Sequence, residues 1–203
     1  MSNNFSEEIF TAVIQRVDQS CRDRSIPMIG PEKAEFLVEV VTKKRPKLVV
    51  EMGTAIGYSG LWIAKTLEEC DGGKMITIEL NPARSEEAGK NFEAAGLSHR
   101  IERRIGDASE LCKDIEGPVD LFFLDGGFNN YHPSFLALQP NLDNEAVLLA
   151  DNVHIGENDM QDYLEHVRSN FKSESHWFVP DLPWQGKDAI ELSIYRKGNH
   201  ECC

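Results

Sequence analysis

Two groups of residues in this chain carry donors and acceptors in patterns suited to ligand chemistry. The first begins with Glu51-Met-Gly53-Thr-Ala-Ile-Gly57-Tyr58-Ser59-Gly60, a glycine-rich turn, and continues with Glu79 in MITIEL and Asp107 in Gly106-Asp107-Ala108. Gly53 and Gly57 let a ligand approach the backbone. Glu79 is suited to accept hydrogen bonds from both ribose hydroxyls, and Asp107 to meet an adenine amine. Together they point to a nucleoside-containing cofactor. The glycines run G-x-x-x-G-x-x-G, whereas seating a dinucleotide pyrophosphate needs G-x-G-x-x-G, so NAD is disfavoured. The second group is Asp125 in FFLDGG and Asp151-Asn152 in LLADNVH. Two carboxylates and an amide oxygen are hard donors that suit Mg2+, with Ca2+ and Mn2+ as alternatives. His154, just beyond them, is the nearest titratable group for proton transfer, because an imidazole titrates close to neutral pH.

Each of these residues also has a plainer reading: a glycine pair as a tight turn, an acid as a helix cap, a lone histidine as a surface group. Position selects between the readings. From residue 47 onward, short β-branched runs alternate with helical stretches: KLVVEM (47–52), KMITIE (74–79), RIERRI (100–105), VDLFFL (119–124) and AVLLAD (146–151). This βαβ rhythm predicts an α/β fold with a doubly wound, mostly parallel sheet covered on both faces. In such sheets ligands bind beyond the carboxyl ends of the strands, and every acid named above sits at the end of a run or just past it. Two later runs, 176–180 and 189–195, follow a helix expected over 157–171 and are joined by a loop too short for a crossover, which permits an antiparallel hairpin at the sheet edge. That loop holds Trp184 with Pro183 and Gln185, and the tryptophan is suited to form an apolar lid over an aromatic substrate. Ahead of the sheet, Phe5, Ile9, Val13, Ile14, Val17 and Cys21 mark an amphipathic helix, and Pro31 opens a second that ends at Lys43-Lys44-Arg45. The first helix is suited to dock either on its own domain or on a second subunit in a homodimer.

Composition narrows the partners. The 203 residues suit one domain, with 1–26 as an N-terminal helical segment and 198–203 as a loose tail. No apolar run reaches the roughly 18 residues of a membrane span, and the start MSNNFSEE has neither the basic nor the apolar region of a secretory signal. Twenty-one basic against 34 acidic residues give a net charge of −13, which repels phosphate backbones and disfavours nucleic acid and anionic membranes. The five cysteines are an odd number without C-x-x-C spacing, as expected of free thiols in a reducing, cytoplasmic setting. Cys202 and Cys203 fall in the tail.

EMGTAIGYSG, MITIELNP, FFLDGG and LLADNV, in this order and spacing, resemble the class I S-adenosylmethionine-dependent O-methyltransferases, in particular the catechol O-methyltransferases and their bacterial relatives. The resemblance covers about residues 25–198, from PMIGPEKAEFL to LSIYRKG. It implies a Rossmann-like seven-stranded sheet with one antiparallel edge strand and methyl transfer to a hydroxyl of a small acceptor. It also implies roles for residues. Ile29 and Ser59 would contact the methionine part of the cofactor, with Gly53 in the turn and Glu51 near its amino group. Glu79 would hold the ribose, Asp107 and Ala108 would flank the adenine, and Asp125, Asp151 and Asn152 would bind the metal, Asn152 also facing the acceptor.

Two positions depart from the family pattern. Three residues after the strand-four aspartate the family has a lysine that serves as general base, and here Phe128 stands there. Near the C-terminus the catechol enzymes set a glutamate against the second hydroxyl, and matching backwards from SIYRKG puts Gln185 in its place. His154 is then the candidate catalytic base. Two rival functions follow: methylation of a hydroxylated tRNA base, with Lys43, Lys44, Arg45, Arg103 and Arg104 as its footprint, and a non-catalytic module that only binds the cofactor.

Overall fold

The structure is a computed structural model and describes residues 5–70 and 72–198; Cys202 and Cys203 lie outside them. Two helices lead, α1 (Glu7–Arg24) and α2 (Gly30–Lys44). Then come β1 (Leu48–Met52), α3 (Tyr58–Glu69), β2 (Lys74–Glu79), α4 (Pro82–Ala94), β3 (Ile101–Ile105), α5 (Ala108–Leu111) and β4 (Val119–Leu124). The chain closes with α6 (Tyr131–Leu138), β5 (Leu142–Ala150), α7 (Gln161–Asn170), β6 (Lys172–Phe178) and β7 (Asp188–Ile194).

Local chemistry accounts for the helix starts. Ser6 accepts the Ile9 N–H at the head of α1, and Asn81 accepts from Ala83 and Arg84 at the head of α4, where Pro82 needs no partner. The α7 start lies later than the sequence suggests. After β5 the chain makes two tight turns, Gly156 N–H to Asn152 O and Met160 N–H to Gly156 O, before a continuous helix begins at Gln161.

The seven strands form one sheet in the order β3-β2-β1-β4-β5-β7-β6. All neighbours are parallel except β7, which runs antiparallel to both β5 and β6. The reversed strand therefore lies one place in from the edge, and β6 forms the edge itself. Strand alternation sends Val49, Leu121, Phe123 and Leu149 to a core shared with α1 through α4, and Val50, Phe122, Leu124 and Leu148 to a second core under α6 and α7. The leading helix docks on its own chain: the Phe10 ring meets Trp62 of α3 edge-on at 5.0 Å, and Arg24 pairs with Glu87 of α4. No helix among the described residues is long and apolar enough to cross a membrane.

Register is what builds the site. Met52 pairs with Ile78 on one side and Leu124 on the other, and Leu124 pairs with Ala150. The next residues, Gly53, Glu79, Asp125 and Asp151, therefore stand in one row along the carboxyl rim. Backbone bonds step across it, from Gly53 N–H to Ile78 O, Asp125 N–H to Met52 O and Asp151 N–H to Leu124 O.

Candidate active site

Above this rim lies a cavity of about 680 Å3 whose wall includes Gly53, Glu79, Asp107, Ala108, Asp125, Phe128 and Asn152. A narrower recess shares Gly53 and Asp125 with it and is lined by Ile29, Tyr58 and Ser59. The residues singled out for cofactor contact thus line two adjoining spaces, with Glu51 behind Ser59. A separate cleft between α4 and β3, walled by Glu86, Lys90 and Arg103, lies away from the rim.

The glycines have steric reasons. Gly53 has φ 101°, and a Cβ there would fall 1.9 Å from the Asp125 carbonyl oxygen. At Gly57, φ 96°, a Cβ would strike the Phe92 ring at 2.8 Å. The turn therefore runs as close to β4 and α4 as a backbone can.

Glu79 is held by two backbone donors, Ala55 N–H to Oε2 at 2.8 Å and Asn81 N–H to Oε1 at 2.9 Å, which leaves lone pairs on both oxygens for ligand hydroxyls. Asp107 caps α5. Its Oδ1 accepts from Asn130 Nδ2 at 2.9 Å and from the Ser109 hydroxyl and N–H, and these bonds hold its carboxyl below the ordinary range. Among the described residues Oδ2 takes no such bond and is free for a ligand amine. Glu51 is buried behind Ser59, which donates to its Oε1 at 2.6 Å, while Thr77 donates to Oε2 at 2.5 Å. Burial pushes its carboxyl up to about 7, against the pull of those two hydroxyls. Ser59, not Glu51, is the side chain that lines the recess.

Asp125 sits where cavity and recess meet. Its carboxyl is pushed well up, first by burial and then by the charge of Asp151. Asp151 is buried, and its Oδ1 accepts from Lys33 Nζ at 2.5 Å. Asn152 adopts the left-handed conformation, φ 60°, and its Nδ2 donates to Asp188 Oδ2 at 2.8 Å. Sequence reasoning missed Lys33 and Asp188. Lys33 Nζ also donates to Asp188 Oδ2 at 2.7 Å, and both side chains are fully enclosed. The signal was present: Lys33 shares the buried stripe of α2 with Leu37 and Val41, where an isolated lysine requires an internal anion.

Three other expectations are corrected. His154 does not reach the cavity: its backbone N–H bonds Asp188 Oδ1 at 3.2 Å, and its exposed ring packs edge-on against Trp177 of β6 at 5.0 Å. Gln185 turns inward and donates to Asp188 Oδ2 at 2.9 Å, away from the cavity wall. Trp184 stands at the tip of the tight turn closed by Gln185 N–H to Leu182 O, 37% exposed, and is not among the residues that line the cavity. Phe128, by contrast, does line it, at the position where the family carries its lysine.

Among the described residues, no three His, Cys, Asp or Glu side chains cluster as metal ligands, so an oxygen site here needs the Asn152 amide. The donor set fits a divalent cation. Asp125 and Asn152 line the cavity, Asp151 is buried with one carboxylate oxygen on Lys33, and the charge of Asp151 raises the Asp125 carboxyl more than that of Lys33 lowers it.

A methyltransferase-domain family profile matches residues 50–153. Catechol O-methyltransferase B of Danio rerio is 32% identical over 193 residues, which is 91% of this chain and 72% of that protein. Among solved structures, the O-methyltransferase from Bacillus cereus in complex with SAH superposes with a TM-score of 0.80 at 22% identity, covering 91% of both chains. The O-methyltransferase TomG from Streptomyces achromogenes, in complex with SAM, gives 0.80 at 20% identity, over 94% of this chain and 91% of that one. These two establish the shared fold, and the catechol O-methyltransferase similarity over nearly the whole chain carries the activity. The chain belongs to the class I S-adenosylmethionine-dependent O-methyltransferases, the family of the catechol O-methyltransferases.

Proposed function

We propose that the enzyme methylates a hydroxyl of a small hydroxylated molecule with the help of a divalent cation, Mg2+ by donor chemistry, held by Asp125, Asp151 and Asn152. One observation supports this reading: Asp125, Asp151 and Asn152 follow β4 and β5 on the rim that carries Glu79, and Asp125 and Asn152 line one cavity with Glu79 and Asp107, so donor and acceptor sites would adjoin. When bound, such a cation lowers the pKa of the acceptor hydroxyl and fixes its oxygen. The chain supplies the rest. Glu79, Asp107 and Ala108 would hold the nucleoside and Ile29 and Ser59 the amino-acid end, with Asp125 lining both spaces between them. Phe128 gives the acceptor an apolar wall. Displacement then forms the O–CH3 bond, breaks the S–CH3 bond and leaves a thioether. Phe128 lines the cavity but has no group that can accept a proton, and the His154 ring packs on Trp177, so the hydroxyl proton passes to solvent. The free thiols Cys21, Cys70 and Cys112 support a reducing, cytoplasmic setting.

The tRNA reading gains no support. Lys43 pairs with Glu39, Arg104 pairs with Glu102, and Lys43 to Arg45 precede β1, at the opposite end of the sheet from the site. The test is transfer of labelled methyl from S-adenosylmethionine to a panel of small hydroxylated compounds, with hydroxylated tRNA alongside, before and after chelation. Transfer to a small acceptor that chelation abolishes is expected. Transfer to tRNA alone overturns the acceptor class, and activity that survives exhaustive chelation removes the cation.

A further inference from the structure

Asp188 is the most heavily bonded side chain near the rim, yet it lines neither the cavity nor the recess. Its Oδ2 accepts from Lys33 Nζ at 2.7 Å, Asn152 Nδ2 at 2.8 Å and Gln185 Nε2 at 2.9 Å. Its Oδ1 accepts the backbone N–H groups of His154 and Ile155 at 3.2 and 3.3 Å. A fully enclosed carboxylate that collects five donors has all its lone pairs committed and no ligand role of its own.

Those bonds converge on Asn152. A carboxamide is planar and two-ended, so a bond from Nδ2 to Asp188 turns Oδ1 the other way, toward the cavity that Asn152 lines. The backbone of Asn152 lies in the left-handed region at φ 60°, which asparagine tolerates better than most residues with a Cβ. The two N–H bonds just after it, to Asp188 Oδ1, pin the turn that requires it. Lys33 completes the arrangement by bridging Asp188 to Asp151, so neighbouring residues of the oxygen site are tied to one hub from α2 and β7.

We infer that Asp188, tied to Lys33, is a positioning residue that fixes the Asn152 carboxamide with its oxygen toward the cavity and so sets the affinity of the acceptor half for a divalent cation. This rests on the cation reading above. The role is geometric, so keeping the charge while moving the carboxylate must be as damaging as removing the charge.

The experiment titrates Mn2+ into the enzyme holding S-adenosylhomocysteine and follows free Mn2+ by electron paramagnetic resonance, for wild type, Asp188→Asn and Asp188→Glu. Losing an outer partner of a ligand typically costs ~10–100-fold in metal affinity, and that loss is expected in both variants. S-adenosylhomocysteine affinity, measured by calorimetry, is expected to hold within about twofold, because none of the five donors to Asp188 comes from Glu79, Asp107, Ala108, Ile29 or Ser59. Recovery of wild-type Mn2+ affinity in Asp188→Glu reduces the role to charge and overturns the inference, as does wild-type affinity in both variants. Loss of S-adenosylhomocysteine binding in both also overturns it, since Asp188 would then support the whole site. Wild type that takes up no Mn2+ fails one step earlier and overturns the cation reading itself.

Discussion

The donor and acceptor halves of the cavity are assembled on different principles. In the donor half, most key bonds are short in sequence: Glu79 to Asn81 and Asp107 to Ser109 span two residues, and Ser59 to Glu51 spans eight. In the acceptor half, Lys33 reaches Asp151 across 118 residues and Asp188 across 155. The donor half is a set of strand-end turns in which each acid combines a local bond with one from a neighbouring segment some 23 to 26 residues away, as Glu79 does with Ala55, Asp107 with Asn130 and Glu51 with Thr77. The acceptor half is an internal ion cluster that exists only once α2, β5 and β7 have met. The difference teaches where each half is vulnerable: the first to loss of single contacts with the ligand, the second to loss of stability.

The largest effect is therefore expected at Lys33. Replacing it with methionine keeps the bulk but leaves Asp151 and Asp188 facing each other without compensation, and removing one partner of a buried pair typically costs ~3–5 kcal/mol. Urea denaturation at neutral pH measures it. A loss below about 1 kcal/mol would mean that the cluster is no more than a surface pair.

Glu51 gives the next effect, and its sign follows from its raised pKa. The native state holds its proton up to about pH 7, while the unfolded chain releases it near 4.5. Its neutral form therefore stabilises the fold fully below pH 4.5, and that contribution fades as pH rises to about 7, amounting to about 3 kcal/mol over the window. Glu51→Gln, followed by urea midpoints between these pH values, is expected to flatten the slope by that share. An unchanged slope would place the proton elsewhere.

In the donor half proper, Glu79→Ala removes charge-assisted hydrogen bonds worth ~1.5–3 kcal/mol each and is expected to weaken S-adenosylmethionine roughly ten- to hundredfold by calorimetry. Affinity that stays put would show that the ribose is held by other groups. The smallest effect belongs to His154→Ala. With its ring on Trp177, the substitution should leave the pH–rate profile unchanged within about twofold, with rate still rising with pH as solvent takes the proton. A lost plateau or a fall of roughly 100-fold would restore the histidine as base.

The same contrast explains what the sequence made legible. Five strand ends, the glycine turn and the polar row beyond them follow from local periodicity and from the rule that open sheets bind ligands at their carboxyl ends. Lys33 and Asp188 were not legible as a pair, because nothing local to EKAEFL or GKDAIE states that the two segments meet. Gln185 and His154 were misplaced for one reason: both lie within a few residues of the rim in sequence, but Asp188 captures the Gln185 side chain and the His154 backbone and turns both side chains from the cavity. The end of β6 fell short of the expected run to residue 180, since pairing with β7 stops at Phe178 and Pro180 has no N–H to extend it.

The division into halves is tested most directly by calorimetry of S-adenosylhomocysteine with the wild-type enzyme, in excess Mg2+ and then in excess chelator. Glu79, Asp107, Ser59 and the glycine turn need no cation, so the two dissociation constants are expected to agree within about threefold. A more than tenfold weakening under chelation, or no heat at millimolar ligand, would contradict an independently assembled donor half.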